Sequence, residues 1–180
     1  MPTFPEIDNS WTLFLDRDGV INKRIVDGYV LNWSMFEWLP GSKEAIVSFA
    51  DKFRRIVVVT NQQGIGKGLM SEEDLNAIHD NMREEIHLAG GRIDGIFFCP
   101  DLAQDDPACR KPNIGMFKNA QRVFPGIDAS KSIMAGDSVS DIAFGKNASM
   151  ITVGIETEKV LEDADFHFPD LKSFSESLFC

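Results

Sequence analysis

Residues 11–22 read WTLFLDRDGVIN, an apolar run followed at once by two acidic residues. The run is typical of a buried strand, and Asp16 and Asp18 stand at its carboxyl end. Two positions apart on an extended chain, their side chains share one side. Ligands of open parallel sheets bind beyond the carboxyl ends of the strands, and a carboxylate near a core is costly unless a cation or hydrogen bonds satisfy it. The stretch therefore indicates a metal or ligand site on an α/β fold, the alternative being a strand with an ordinary Asp-Gly turn.

Apolar runs and helical patterns alternate along the rest of the chain, which is typical of a doubly wound α/β fold. Residues 1–180 fit a single domain with a mostly parallel central sheet. Strands are predicted at 12–16, 55–60, 95–99, 132–136 and 150–153, with a weaker one near 165–168. Helices are predicted at 42–53, from Ser71 to about 90, and near 114–123, 139–147 and 170–179.

The net charge of -10 at pH 7 argues against a nucleic-acid partner, because phosphate backbones require a basic stripe. The motif loops nevertheless carry Arg17, Lys23, Arg24, Lys67, Arg110 and Lys111. We expect these cations to gather a small phosphorylated ligand in a local positive pocket. For Lys23, Arg24 and Lys67, the alternative is a solvated surface charge.

The chain shows no signal-peptide pattern and no apolar stretch of the roughly 20 residues that a membrane-spanning helix needs. We expect a cytoplasmic protein without a membrane partner, most simply a monomer, although the sequence leaves the oligomeric state open. Three cysteines, Cys99, Cys109 and Cys180, do not suggest a disulfide framework.

Four motifs at predicted strand ends follow one another in order: DRDGVIN at 16–22, VVVTNQQGIGKG at 57–68, CRKPNIGM at 109–116 and IMAGDSVSD at 133–141. This set resembles the haloacid dehalogenase (HAD) superfamily of aspartate-nucleophile phosphatases. The longer strings resemble its D-glycero-D-manno-heptose 1,7-bisphosphate phosphatases and the related histidinol phosphatases. The resemblance implies a HAD-like Rossmannoid three-layer fold, here without room for a cap domain.

The resemblance also implies a mechanism. Asp16 would be the nucleophile that forms an aspartyl-phosphate, and Asp18 would protonate the leaving alkoxide and later activate water. Mg²⁺ would be held by the carboxylates of Asp16 and Asp137 and by the backbone carbonyl of Asp18. Asp141, one helical turn after Asp137, would either support the metal or cap its helix.

Further residues are implied to bind the substrate. Thr60 would donate to the phosphoryl oxygens and Lys111 would neutralise them, the alternatives being a strand-end turn and a surface cation. Arg110 would grip a second phosphate or the sugar. Additional contacts are expected from Asn61, Gln62 and Gln63, and from Gly28 and Tyr29 in the connection 19–39. The aromatic residues of that connection, Trp33, Phe36 and Trp38, are interpreted as core under a loop, the alternative being a platform for the ligand.

In the resembled heptose phosphatases, the connection 100–113 usually carries a Cys-x-His and Cys-x-Cys zinc site. The matching positions here are Cys99, Asp101, Pro107 and Cys109. Proline cannot ligate a metal, and structural zinc needs a closed set of four ligands. We therefore expect no structural zinc and interpret Cys99 and Cys109 as remnants that are packed or free thiols.

The sequence thus favours a Mg²⁺-dependent phosphomonoester hydrolase that removes the C7 phosphate of a heptose 1,7-bisphosphate, a step toward activated heptose for a surface glycan. Histidinol phosphate is the alternative substrate, because loops build the leaving-group pocket, and the anomer at C1 stays open. A catalytically silent phosphosugar-binding module is the alternative of another class. Binding alone would not require both Asp16 and Asp18, which argues against that alternative.

Overall fold

The computed structural model describes residues 4–155 and 160–179. Its strands are β1 (Thr12–Leu15), β2 (Arg55–Asn61), β3 (Gly95–Cys99), β4 (Ser132–Gly136), β5 (Ile151–Ile155) and β6 (Phe166–Phe168). They form one sheet in the order β3-β2-β1-β4-β5-β6, and every neighbouring pair is parallel. All the predicted strands are therefore confirmed, including the weak one near 165–168.

Five α-helices of the described residues connect or follow these strands: α1 (Ser42–Lys52), α2 (Glu72–Leu88), α3 (Gly115–Val123), α4 (Val139–Asn147) and α5 (Leu171–Ser177). Ser71 caps α2 as predicted, because its side chain accepts a hydrogen bond from the Asp74 backbone while Asp74 bonds back to the Ser71 backbone. None of these helices combines the length and the apolar character that crossing a membrane requires.

Both faces of the sheet are covered, which explains why the central strands are continuously apolar. On one face, Leu13 and Leu15 of β1 share a core with α1, α2 and α5; Phe14 points to the opposite face and packs with α3 and α4. Successive side chains of a strand alternate between faces. The result is the expected three-layer α/β/α architecture.

The sheet order places a topological switch point at β1. The chain runs from β1 to β2 on one side of it, and β4 later pairs on the other side. Crevices for ligands form at such points, beyond the carboxyl ends of the strands. The motifs that follow β1, β2, β3 and β4 consequently converge on one edge of the sheet.

The connection 19–39, called here the flap, folds back on the body of the protein. The Gly19 amide donates to the Asn22 carbonyl at 2.7 Å, and the Leu39 amide donates to the Ile21 carbonyl at 3.1 Å. Its aromatic rings pack together, with ring centroids 4.6 Å apart for Trp33 and Phe36, and they lie partly buried against the core. This agrees with their interpretation as core residues.

Candidate active site

An open pocket of about 560 Å³ lies at the carboxyl edge of the sheet. Its lining includes most of the predicted site residues: Asp16, Asp18, Gly28, Tyr29, Thr60, Asn61, Gln63, Arg110, Lys111 and Asp141. Loops after β1, β2, β3 and β4 and the flap all contribute. Two predicted residues, Gln62 and Asp137, do not line it.

Three carboxylates converge at the pocket, and two of them, Asp16 and Asp141, line it. Oxygen atoms of Asp16, Asp137 and Asp141 lie within 4.8 Å of one another. Burial and the nearby Asp141 charge raise the pKa of Asp16 to about 6, and burial and the charges of Asp16 and Asp141 raise that of Asp137 to about 8. Hard oxygen donors so close together are the ligands that Mg²⁺ prefers, and a divalent cation relieves their repulsion. The donor set therefore fits the predicted metal.

Gly19 makes room for this cluster. Its φ of +95° lies in the region that favours glycine, and a Cβ there would stand 2.1 Å from Asp137 Oδ2. The Asp18-Gly19 pair is therefore more than a turn signal. The glycine lets the carboxylate of Asp137, which follows β4, approach the loop after β1.

Lys111 is buried between two of the carboxylates. Its Nζ lies 2.7 Å from Asp16 Oδ1 and 2.6 Å from Asp141 Oδ1, and it also donates to the Val59 carbonyl at 2.8 Å. Burial alone would lower the pKa of this ammonium, but the charges of Asp141 and Asp16 more than offset it and raise the pKa. Lys111 is thus a buried positive charge beside Asp16 rather than a surface cation.

Asp141 caps its helix, as one of its two alternatives predicted, and its carboxylate also belongs to the cluster that could hold a metal. Its Oδ2 accepts hydrogen bonds from the backbone and hydroxyl of Ser138 at 3.1 and 2.6 Å, which completes a capping box at the start of α4. Its Oδ1 faces Lys111, and its carboxylate belongs to the cluster with Asp137. The cap fixes the carboxylate in place, because the helix start determines where it points.

Asp18 lies apart from the carboxylate cluster, in a shell of donors. Its oxygens accept two hydrogen bonds from Arg17 at 2.9 Å, one from Asn22 Nδ2 at 2.9 Å and one from Gln62 Nε2 at 2.8 Å. Burial alone would raise the pKa of Asp18, but the Arg17 charge and these hydrogen bonds outweigh it and hold the pKa below its usual value.

Gln62 corrects an expectation. It was predicted to contact the substrate, but its side chain is buried and donates to Asp18 and to Thr60 Oγ1, both at 2.8 Å. Thr60 itself does line the pocket. Gln62 is directed inward because Thr60 and Gln62, two positions apart at the strand end, approach one another.

The neighbours of Gln62 hold loops as well as line the pocket. Asn61 exchanges hydrogen bonds with the backbone of Lys111, accepting from its amide at 3.0 Å and donating to its carbonyl at 3.3 Å. Gln63 Oε1 accepts from the Ala103 amide at 3.2 Å. Both residues join the end of β2 to the connection after β3.

The predicted positive pocket receives only some of its six cations. Arg24, Lys67, Arg110 and Lys111 line the pocket. Lys23 is exposed and pairs with Glu37 at 3.3 Å, as the surface alternative predicted. Arg17 is fully buried and does not line the pocket, so the expectation for it is corrected.

His79, the buried partner of Arg17, is a residue of this region that motif reasoning missed. Arg17 Nη1 lies 3.1 Å from His79 Nε2, which reaches it from α2. The sequence held one usable signal, because Arg17 alternates with Asp16 and Asp18 and must point to the other side of the chain. Nothing near His79 in the sequence indicates its partner.

Flap residues complete the pocket wall. The ring of Tyr29 lies over Gly64, where a Cβ would approach it to 3.2 Å, and Lys67 Nζ stands 5.3 Å from the ring centroid. Arg24 Nη2 lies 3.0 Å from Asp137. Arg110 lines the pocket as well, and its Nη1 is buried without a hydrogen-bond partner among the described residues.

The cysteine pair also corrects an expectation. Cys99 and Cys109 form a disulfide, with their Cα atoms 5.3 Å apart, instead of standing as free thiols. The residues that end β3 and precede Arg110 are brought together by the return of the connection 100–113, at a separation that a disulfide can bridge. Asp101 Oδ2 lies 3.5 Å from Cys109 Sγ.

Comparison with known proteins agrees with this geometry. A family model described as HAD-hydrolase-like matches residues 108–172. D-glycero-alpha-D-manno-heptose-1,7-bisphosphate 7-phosphatase of Mycobacterium bovis is 43% identical over 141 residues, covering 78% of this chain and 74% of the relative. The D-glycero-beta-D-manno-heptose-1,7-bisphosphate 7-phosphatase of Rhodopseudomonas palustris is 36% identical over 154 residues, covering 82% and 84%.

A solved structure extends the similarity to the whole fold. D,D-heptose 1,7-bisphosphate phosphatase from B. bronchiseptica, complexed with magnesium and phosphate, matches with a TM-score of 0.84 and 32% identity, covering 94% of this chain and 98% of that one. Sheet order, site and relatives together define a HAD-like phosphatase, a phosphoric monoester hydrolase. The chain belongs to the D-glycero-D-manno-heptose 1,7-bisphosphate 7-phosphatase family of that superfamily.

Proposed function

We propose that this protein is a Mg²⁺-dependent phosphatase that removes the C7 phosphate of D-glycero-D-manno-heptose 1,7-bisphosphate through an aspartyl-phosphate. The observation that carries the proposal is the convergence of Asp16, Asp137, Asp141 and Lys111 at the carboxyl end of β1. A binding module would gain nothing from a buried carboxylate set against the phosphate that it must bind. The solved relative from B. bronchiseptica, with magnesium and phosphate, supports the same ligands here.

Asp16 is the nucleophile in this mechanism. A carboxylate oxygen of Asp16 attacks phosphorus, and the bond from phosphorus to the C7 oxygen breaks. Asp18 is ionised in the free protein, but the negative charge of a bound phosphate favours its protonated form, and that proton passes to the leaving alkoxide. Water then attacks the aspartyl-phosphate and gives its proton to Asp18, which restores both residues. The same carboxyl serves as acid and then as base.

The surrounding residues supply charge and position. Thr60 and Lys111 both line the pocket. In this mechanism the Thr60 hydroxyl would donate to the phosphoryl oxygens and Lys111 would neutralise their charge. Asp16, Asp137 and the backbone carbonyl of Asp18 would hold Mg²⁺, with Asp141 supporting them from the start of α4. The ion, when bound, supplies positive charge that lets an anionic nucleophile approach an anionic phosphate.

The substrate assignment is supported by the cations at the pocket mouth. Beyond Lys111, which faces the transferred phosphate, Arg24, Lys67 and Arg110 line the same pocket. Arg110 and the flap residues Gly28 and Tyr29 line this pocket, and a guanidinium there suits a sugar with a second phosphate. The relatives are named for both anomers, so we assign none to this chain.

Replacement of the nucleophile tests the mechanism. Asp16→Asn should lower kcat at least about a thousandfold while leaving the fold intact, because the amide keeps the shape but cannot form an acyl phosphate. Asp51→Asn, the same change on the exposed side of α1, is the control and should keep wild-type activity. Near-wild-type kcat in Asp16→Asn would exclude the covalent mechanism.

Parallel kinetics test the substrate. Phosphate release is measured from both anomers of the heptose bisphosphate and from histidinol phosphate, with Mg²⁺ and after its removal by EDTA. We expect the bisphosphate to give the highest kcat/KM and EDTA to abolish turnover. A higher kcat/KM for histidinol phosphate would overturn the substrate assignment, and no release from any of the three would favour the binding module.

A further inference from the structure

A buried chain of polar side chains leads from α2 to Asp18. Arg17 has no exposed surface, and its Nη2 donates to both carboxylate oxygens of Asp18 at 2.9 Å. Its Nη1 lies 3.1 Å from Nε2 of His79, which is 4% exposed and packs beside Phe98. Neither Arg17 nor His79 lines the pocket.

The direction of the inner hydrogen bond follows from chemistry. A guanidinium has donors and no acceptor, so His79 Nε2 must accept, and a neutral ring then carries its proton on Nδ1. Burial, followed by the charges of Arg17 and Arg83, lowers the pKa of His79 to about 3, against the opposing charge of Asp18. The ring is therefore a neutral acceptor at physiological pH.

Burying the Arg17 guanidinium costs free energy, and packing contacts alone do not explain why this residue is buried. Arg17 Nε has no partner among the described residues, and a buried guanidinium is unfavourable unless its donors are used. The donors that are used all reach either Asp18 or the side chain that holds the guanidinium in place. Asn22 and Gln62 alone would leave the Asp18 carboxylate with one donor on each oxygen.

We propose that His79 and Arg17 are positioning residues that fix the Asp18 carboxyl for proton transfer to the leaving group. The inference rests on the proposed function, in which Asp18 is the proton donor. The guanidinium contacts His79 through Nη1 and both Asp18 oxygens through Nη2, so it links the two side chains through two separate nitrogens. Lysine has a single nitrogen and cannot reproduce this link. Neither residue touches the substrate.

Leaving-group basicity distinguishes this role from a structural one. Phenyl phosphate and 4-nitrophenyl phosphate have similar shapes, but nitrophenolate departs readily without a proton, whereas phenolate depends more on the acid. The ratio of kcat/KM for 4-nitrophenyl phosphate to that for phenyl phosphate therefore rises when proton donation fails. A general loss of packing lowers both values together and leaves the ratio unchanged.

The experiment compares this ratio in five variants of the full chain, each also checked by thermal denaturation. We expect His79→Leu to raise the ratio about tenfold, a part of the 10²–10⁴-fold that a general acid contributes. Arg17→Lys should raise it similarly, and Asp18→Asn should raise it most. His79→Gln should recover much of the wild-type ratio, because its amide oxygen can accept from Arg17. Met82→Leu, a buried apolar change one turn along α2, is the control and should keep the wild-type ratio.

Each outcome decides something. If Asp18→Asn raises the ratio but His79→Leu and Arg17→Lys do not, the positioning role is overturned and the proposed function stands. If Asp18→Asn leaves the ratio unchanged, Asp18 is not the proton donor, and both the assignment and the inference built on it fail. Should His79→Leu not fold, Arg17→Lys together with His79→Gln decides, and a wild-type ratio in Arg17→Lys overturns the inference.

Discussion

Adjacent residues of this site have different environments because the chain directs their side chains to different places. Lys111 is buried and paired with Asp16 and Asp141, whereas its neighbour Arg110 is half-buried and lines the pocket. In the proposed mechanism, Lys111 would meet the transferred phosphate of every phosphoester. Arg110 would meet a group that only the larger substrate carries.

This difference predicts that substitutions of the two residues affect the two substrates differently. Arg110→Ala should lower kcat/KM for the heptose bisphosphate about ten- to a hundredfold, with little change for 4-nitrophenyl phosphate, because one charge-assisted contact is lost. Lys111→Ala should impair both substrates and lower the free energy of unfolding by about 3–5 kcal/mol, since two buried carboxylates lose their partner. Steady-state kinetics and urea denaturation measure both effects. Arg122→Ala, exposed on α3, is the control; equal losses on both esters in Arg110→Ala would contradict the specificity role.

At the scale of elements, the connection after β3 shows how a local link positions a distant side chain. The disulfide between Cys99 and Cys109 closes this connection directly before Arg110 and Lys111. Asn61 of β2 holds the Lys111 backbone from the other side. The loop that presents both cations is therefore fastened to β3 and to β2.

The disulfide predicts a redox-dependent stability. Without reductant, Cys109→Ser should lower the free energy of unfolding by about 2–3 kcal/mol, because a short closed loop is released in the unfolded chain. With dithiothreitol the difference between wild type and variant should largely disappear. Denatured, unreduced Cys109→Ser should show one more reactive thiol than wild type. Metal analysis of the protein is a second measurement, and we expect no stoichiometric zinc, because cysteines joined in a disulfide cannot ligate it. Stoichiometric zinc bound through Cys99 and Cys109 would contradict the disulfide.

At the scale of the whole molecule, the active site is a region where charge opposes folding. Asp137 has a pKa raised to about 8 and Asp16 one raised to about 6, so the metal-free folded protein binds more protons than the unfolded chain below these values. Stability must then fall as pH rises through them. The effect of His79 on stability has the opposite sign, because its pKa is lowered from 6.5 to about 3. Its contribution to the free energy of unfolding is therefore complete only above pH 6.5.

The sign argument predicts how magnesium stabilises the fold. Above pH 7 the contributions of Asp16 and His79 are nearly constant, so the Tm in EDTA should fall between pH 7 and pH 8.5 as Asp137 ionises. Added Mg²⁺ should raise the Tm more at pH 8.5 than at pH 7, because it binds the ionised carboxylates. Thermal denaturation at both pH values, with EDTA or Mg²⁺, measures this. Asp137→Asn should flatten the decline in EDTA; a decline unchanged in that variant would assign it to other groups.

The local sequence pattern was sufficient to predict the secondary structure and the sheet edge that carries the site. Alternating apolar runs and helical patterns predicted the six strands and five α-helices of the described residues, because burial on both faces imposes a period that can be read within a few residues. The three short 3-10 helices were not predicted. The motif order likewise predicted which loops meet, since parallel strands send their carboxyl ends to one edge.

Packing between distant segments settled the partners of individual side chains. Arg17, expected at the ligand, lies buried against His79, sixty-two positions away along the chain, and Gln62, expected at the substrate, holds Asp18. Cys99 and Cys109 meet because a loop returns, which their spacing did not reveal. Local periodicity fixes which side of a strand a residue faces, but hydrogen bonds and ion pairs depend on what another element places opposite, and that follows only from the packed three-dimensional arrangement.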